Sequence, residues 1–203
     1  LYVNVGDYKN VWDELIRDIP QMRELATEHF DNWKDTKAFA TKALSASQIN
    51  NSDVVTDNNT DDNSKNITAD NSSEDTSDNI TGIHGFYHKN IFEAVYCTNL
   101  LMRSADVLVT KPSELAFYPV PKLFIKRVGG HEQWGAVHSA EIGDGTLECR
   151  DIPHTLQMIK LFMEDDTYII DMCKNIKKNK QMGIYNGAYE AVKLAVNMKK
   201  SDI

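Results

Sequence analysis

The 203-residue chain has no apolar run approaching the ~18 residues that a membrane-spanning helix needs. Nor does a charged start followed by an apolar stretch mark a signal peptide. Cysteine is scarce. Its three copies, Cys97, Cys149 and Cys173, stand far apart without a Cys-x-x-Cys pair, which argues against a disulfide framework or a zinc module and fits a reducing compartment, the cytoplasm by default. Positive charge is in deficit as well, with a formal net charge of -8, and nothing favours a nucleic-acid partner.

The acidity is local. Residues 45–82 carry eight acidic side chains against the single Lys65, a net of -7, so the rest of the chain is close to neutral. That stretch, "SASQINNSDVVTDNNTDDNSKNITADNSSEDTSDNITG", is almost entirely Asn, Asp, Ser and Thr. Little in it could repay the entropy of ordering, and it reads as a disordered insertion. Triplets such as Asn66-Ile67-Thr68 match a glycosylation acceptor, but such composition generates them by chance. The remainder divides into a first strand and helices over 1–44 and the rest of the same α/β domain over 83–203. The chain opens at Leu1 directly on a strand-like run, which suggests a fragment lacking an N-terminal domain.

Strand and helix patterns alternate along the ordered parts. "LYVNV" reads as a strand ending at Gly6-Asp7, followed by a helix over "YKNVWDELI" and further helices over about 20–30 and 35–44, the last capped by Asp35. After the insertion, "ITGIHGFY" is strand-like, Asn90 caps a helix, and "DVLVT" and "KLFIK" are short strands on either side of a "PSELAFY" turn of helix. A helix over about His131 to Ile142, a strand-like "GTLEC", a helix capped by Asp151 with Pro153 near its start, and two more amphipathic helices complete the pattern. This order indicates βαβ units: a Rossmann-like three-layer α/β sandwich with a mostly parallel sheet. Such sheets take ligands outside the carboxyl ends of their strands. The loops to watch are then Gly6-Asp7, Lys111 to Glu114 and Val128 to Gln133.

In the third loop, Gly129 and Gly130 precede a helix whose first turn holds His131, Glu132 and Gln133. Glycine permits close backbone approach, and the free amides and dipole of a helix start attract an anion such as phosphate. A plain strand-to-helix turn with polar residues facing water accounts for the same spacing. In the second loop, Glu114 follows Ser113 in a helical first turn. There a carboxylate can accept from a vicinal diol such as a ribose, or simply complement the dipole.

Taken together, "SADVLVTK", "SELAFYPVP" and "GHEQWGAVHSAEIGDG" resemble the C-terminal domain of GT-B glycosyltransferases. The similarity is to the group that holds the peptidoglycan N-acetylglucosaminyltransferase acting on lipid I and the monogalactosyldiacylglycerol synthases, and it covers about residues 80–165. It implies a nucleotide-sugar donor, UDP-linked by preference. Ser113 and Glu114 would then lie at the ribose, Gly129 and Gly130 at the diphosphate, and His131, Glu132 and Gln133 at the diphosphate and sugar. Gly6 would stand at a further diphosphate loop. Amides and helix starts would stabilise the leaving diphosphate, so no metal or other cofactor is expected. The chain departs from the group at several points. The glycine-rich turn before Ser113 is missing, Pro119 replaces a small helical residue, the Asn after the glutamate is absent, and the first strand ends in a single glycine. Any catalytic base would belong to the second Rossmann-like domain of such enzymes. Two rivals share these residues: a nucleotide-sugar 2-epimerase-like isomerase, and a nucleotide-sugar-binding module without turnover.

Other signals read more simply as structure. His84 and His88 are four apart on a strand and loop, and a zinc site needs three or four ligands. Trp12, Trp33 and Trp134 read as packing residues, with Trp134 open to a pocket role beside the glycines. The basic run "KNIKKNKQ" suits a helix end; in lipid-acting members of the resembled group such a face can make peripheral membrane contact. The cysteines have no neighbouring base in the sequence that would activate a thiol.

Overall fold

The computed structural model describes the backbone of residues 1–52 and 80–201, and side chains for 1–46, 80–113 and 115–198. The chain forms two compact units, Leu1–Ser104 and Ala105–Ile203. The sequence pattern instead placed residues 1–44 and 83–203 in one interrupted domain. The strands fall into two sheets, one in each unit. Both are small and parallel, so the class is α/β with abundant helix. No helix among the described residues is long and apolar enough to cross a membrane.

In the first unit, β1 (Tyr2–Asn4), α1 (Lys9–Asp18), α2 (Pro20–Leu25), β2 (Ala26–Phe30), α3 (Trp33–Ser52), β3 (Ile83–Tyr87) and α4 (Ile91–Leu101) follow in order. The sheet order is β1-β3-β2, all parallel. Side chains of β3 alternate between its faces, as a strand's period of two requires. Phe86 packs with Cys97 and Leu101 of α4, and Tyr2, Trp33 and Phe39 close over them. On the other face Gly85 admits the ring of Trp12, which is fully buried. A Cβ at Gly85 would come within 2.3 Å of that ring. The indole Nε1 of Trp12 donates to Glu28 at 2.8 Å, tying α1 to β2.

Two expectations are corrected here. The helix over 20–30 ends at Leu25, and "ATEHF" is a strand. Its backbone pairs with β3 from Ala26 opposite Ile83 to Phe30 opposite Tyr87, and His29 stacks on Phe86 at 4.8 Å. Long-range pairing overrides a weak local helical preference. The helix expected over 35–44 starts at Trp33, with Asn32 accepting from the Asp35 amide at 3.2 Å, so Asp35 lies in the first turn and does not cap it. It also runs to Ser52, inside the segment expected to be disordered from residue 45; residues 53–79 of that segment lie outside the described part. Asn90 does cap α4, its Oδ1 accepting from the Phe92 amide at 3.0 Å.

The second unit contains β4 (Leu108–Thr110), a 3-10 turn over Glu114–Phe117, β5 (Lys122–Phe124), a 3-10 turn over Gly130–Glu132, and helices α5 (Gln133–Ile142), α6 (Ile152–Glu164), α7 (Thr167–Gln181) and α8 (Gly187–Ser201). β4 and β5 pair in parallel. The expected strand "GTLEC" runs beside β5 as a third parallel segment: Lys122 bridges Gly145, and the amides of Thr146 and Cys149 donate to Lys122 and Phe124 at 2.9 and 2.8 Å. Consecutive residues of β5 feed opposite faces. Phe124 packs with Ala116 and Ala136, and Leu123 with Cys149 and Phe162.

At the amino end of β5, Lys122 and Asp144 form a fully buried ion pair, Nζ to Oδ2 2.9 Å. The ammonium also donates to the carbonyls of Tyr118 and Val120 at 2.8 and 3.0 Å, and the Tyr185 hydroxyl donates to Asp144 at 2.7 Å. Burial pushes the Lys122 pKa down, while the Asp144 carboxylate pulls it back up. Gly143, left-handed at φ 72°, ends α5 and turns the chain into this pair.

Candidate functional site

The three parallel segments of the second unit deliver their carboxyl ends to one edge. β4 leads into Lys111-Pro112-Ser113, β5 into Ile125 to Gly130, and the 145–149 segment into Arg150-Asp151. Helix starts follow the last two, at the Gly130–Glu132 turn with α5 and at α6. Asp151 caps α6 as expected, accepting from the His154 amide at 2.8 Å, with Pro153 in the first turn.

Glu132 organises this edge. Its carboxylate is 7% exposed and accepts from the Lys111 ammonium at 2.6 Å and from the amides of Val128 and Gly129 at 2.8 and 3.1 Å. The hydrogen bond from Lys111, followed by those from the Gly129 and Val128 amides, lowers its pKa to about 2. A carboxylate so held is ionised throughout the physiological range and closes the glycine loop onto the end of β4. Beside it, Arg127 grips Glu148 twice, through its backbone amide and its guanidinium, both at 2.9 Å. The edge is therefore fastened by two ion pairs, each joining neighbouring loops.

Seven of the eight residues singled out in the sequence lie along this edge, and Gly6 does not. Gly6 sits in the first unit in a turn at φ 64°, where its amide donates to the Asn4 side chain at 3.0 Å and its carbonyl accepts from the His88 amide at 3.0 Å. Ser113 is half-buried, its amide donating to the Lys111 carbonyl at 2.8 Å. Glu114 begins the 3-10 turn, and its side chain lies outside the described part. Glu132, expected among the donor contacts, has both oxygens taken up inside the protein. His131 is exposed and Gln133 half-buried, while the amides of Gly130 and His131 donate to no protein acceptor among the described residues. Such amides are the uncompensated donors of a helix start.

Sequence reasoning missed three contributors: Lys111, the Arg127–Glu148 pair, and Gly135. A Cβ at Gly135 would stand 2.6 Å from the Pro112 carbonyl and 3.1 Å from Ala116 Cβ. This glycine lets α5 lie directly against the loop that carries Ser113. Its signal was legible, because glycine inside a helix costs about 1 kcal/mol relative to alanine and so calls for a packing reason. Trp134 had been read as a packing residue, yet it is 68% exposed and points away from the core. Among the cysteines, Cys97 and Cys149 are buried, and burial pushes the Cys97 thiol to about 12, far from a reactive thiolate.

This α/β chain, with its parallel strand ends gathered at a loop edge, belongs to a family described as a domain of unknown function (DUF6938), whose model matches residues 1–63 and 46–196. No curated protein and no solved structure matches it.

Proposed function

We propose that the second unit binds a nucleotide sugar, UDP-linked by preference, at the carboxyl edge of β4, β5 and the 145–149 segment, as a Rossmann-like three-layer donor half of the GT-B type. One observation carries this reading. Where the resemblance calls for a diphosphate, the amides of Gly130 and His131 take no protein acceptor among the described residues, and Glu132 holds the loop in that conformation. Donors fixed in advance stabilise an anion without reorganising at the moment of binding or bond cleavage. Lys111, 44% exposed on its side chain, adds positive charge at the same edge. His131 and Gln133 then face the diphosphate and sugar, Ser113 and Glu114 the ribose. The reaction that follows from this is transfer of the sugar to an acceptor with UDP as leaving group.

A second reading, a nucleotide-sugar-binding module without turnover, is favoured by the engagement of Glu132 and Glu148 in ion pairs with Lys111 and Arg127. Those pairs leave neither carboxylate free to serve as a base. Isothermal titration of the protein with UDP, UDP-sugars and inorganic phosphate tests both. Binding of UDP, weakened in Glu114→Ala while the thermal unfolding profile stays unchanged, supports the donor site; absence of heat with every nucleotide rejects it. Release of UDP from a UDP-sugar then separates turnover from binding alone.

A further inference from the structure

We propose that α8 is a homodimerisation element that pairs antiparallel with α8 of a second copy of this chain. The observation is one of exposure. Every residue of α8 from Gly187 to Met198 is exposed, yet most are apolar, with Tyr189 67%, Val192 64%, Leu194 62% and Val196 49% accessible. At 100° per residue, Ala188, Ala191, Val192, Ala195 and Val196 form one continuous side, and Glu190, Lys193 and Asn197 occupy a narrow strip opposite. A helix with so broad an apolar side and no cover is built to be covered.

Charge and shape select the occupant. The sequence puts Glu190 in the first turn of α8 and Lys199 and Lys200 in its last. A copy running parallel sets like charges side by side. An antiparallel copy sets the glutamate end against the lysine end, twice over by the two-fold axis, and opposes the two helix dipoles. The apolar side is self-complementary in the same sense. Reversing the helix about the point between Lys193 and Leu194 places Val192 against Ala195 and Val196 against Ala191, large against small at each step. Small residues there let the helix backbones approach closely.

Sedimentation equilibrium of the full chain, from low micromolar to several hundred micromolar, tests this. A dimer is expected. Val192→Glu with Val196→Glu makes it a monomer with an unchanged circular dichroism spectrum, since both side chains are exposed in the single copy. Glu190→Lys weakens the dimer by roughly three- to tenfold in Kd, the scale of two exposed charge pairs, and adding Lys199→Glu and Lys200→Glu restores it. A monomer at every concentration overturns the proposal, as does a dimer indifferent to the Val192 and Val196 changes. Flotation of a monomeric chain with phosphatidylglycerol vesicles, lost in the same double variant, also overturns it by assigning the helix to a lipid surface.

Discussion

Replacing Gly135 by alanine tests the candidate site through its packing. A Cβ at that position meets the Pro112 carbonyl at 2.6 Å and Ala116 Cβ at 3.1 Å. The first contact is with backbone, which cannot swing aside as a flexible side chain would, so α5 and the 111–117 loop must separate. Overpacking of this kind costs up to about 3 kcal/mol, and alanine in place of glycine within a helix returns about 1 kcal/mol. The net loss is roughly 2 kcal/mol, or about 8–16 °C in the melting temperature of a unit of this size. Gly130 is the matched control, because nothing lies within 4 Å of a Cβ there; Gly130→Ala should stay within about 0.5 kcal/mol of the parent. Scanning calorimetry on the two variants, with UDP titration of each, makes the comparison. Equal stability of the two variants would refute the close approach of α5 to Pro112, and with it the view that Gly135 shapes the loop bearing Ser113.

Removing the buried ammonium by Lys122→Met should cost about 3–5 kcal/mol in urea unfolding, because Asp144 is left as a buried charge without its counterion, and Lys122→Met with Asp144→Leu should recover most of that loss. Histidine makes the first unit sensitive to acid. His29 lies 3.2 Å from His84, and burial first, then the His84 ring, depresses its pKa below the usual imidazole value. The unfolded chain therefore takes up a proton that the folded chain refuses. The stability is present above about pH 6.5 and is lost as the pH falls through the depressed folded value. The buried His88 shifts in the same direction, so His29→Gln should lessen the fall in unfolding free energy between pH 7.5 and 5, as read by urea titration, without abolishing it. Iodoacetamide should modify Cys173, the exposed thiol, in the native protein, and reach buried Cys97 and Cys149 only after unfolding; mass spectrometry of the peptides reads this directly.

Much of the second unit was legible because its signals are local. Asp151 with Pro153 specifies a helix start, and short apolar runs such as "DVLVT" and "KLFIK" fit strands buried on both faces. In the first unit the same reasoning failed at "ATEHF", whose partners lie beyond the long segment preceding β3. Nothing near it in sequence announces them. The candidate edge was legible as loops and glycines, because close approach and helix starts leave compositional marks. The inward turn of Glu132 was not, since a carboxylate in a first turn suits a ligand contact and a loop clamp equally well until the place of Lys111 is known.

The sequence by itself determined the α/β class, the parallel βαβ order, the caps at Asn90 and Asp151 and the acidic character of residues 45–82, all consequences of periodicity, backbone chemistry and composition. Only the tertiary structure decided that the chain folds as two units, that β2 is a strand, that Gly6 stands apart from the edge formed around Gly129 and Gly130, and that Glu132 serves the loop from within. Each of these turns on which distant groups meet. Pairing between strands and between buried charges depends on that distance in space, and separation along the chain does not encode it.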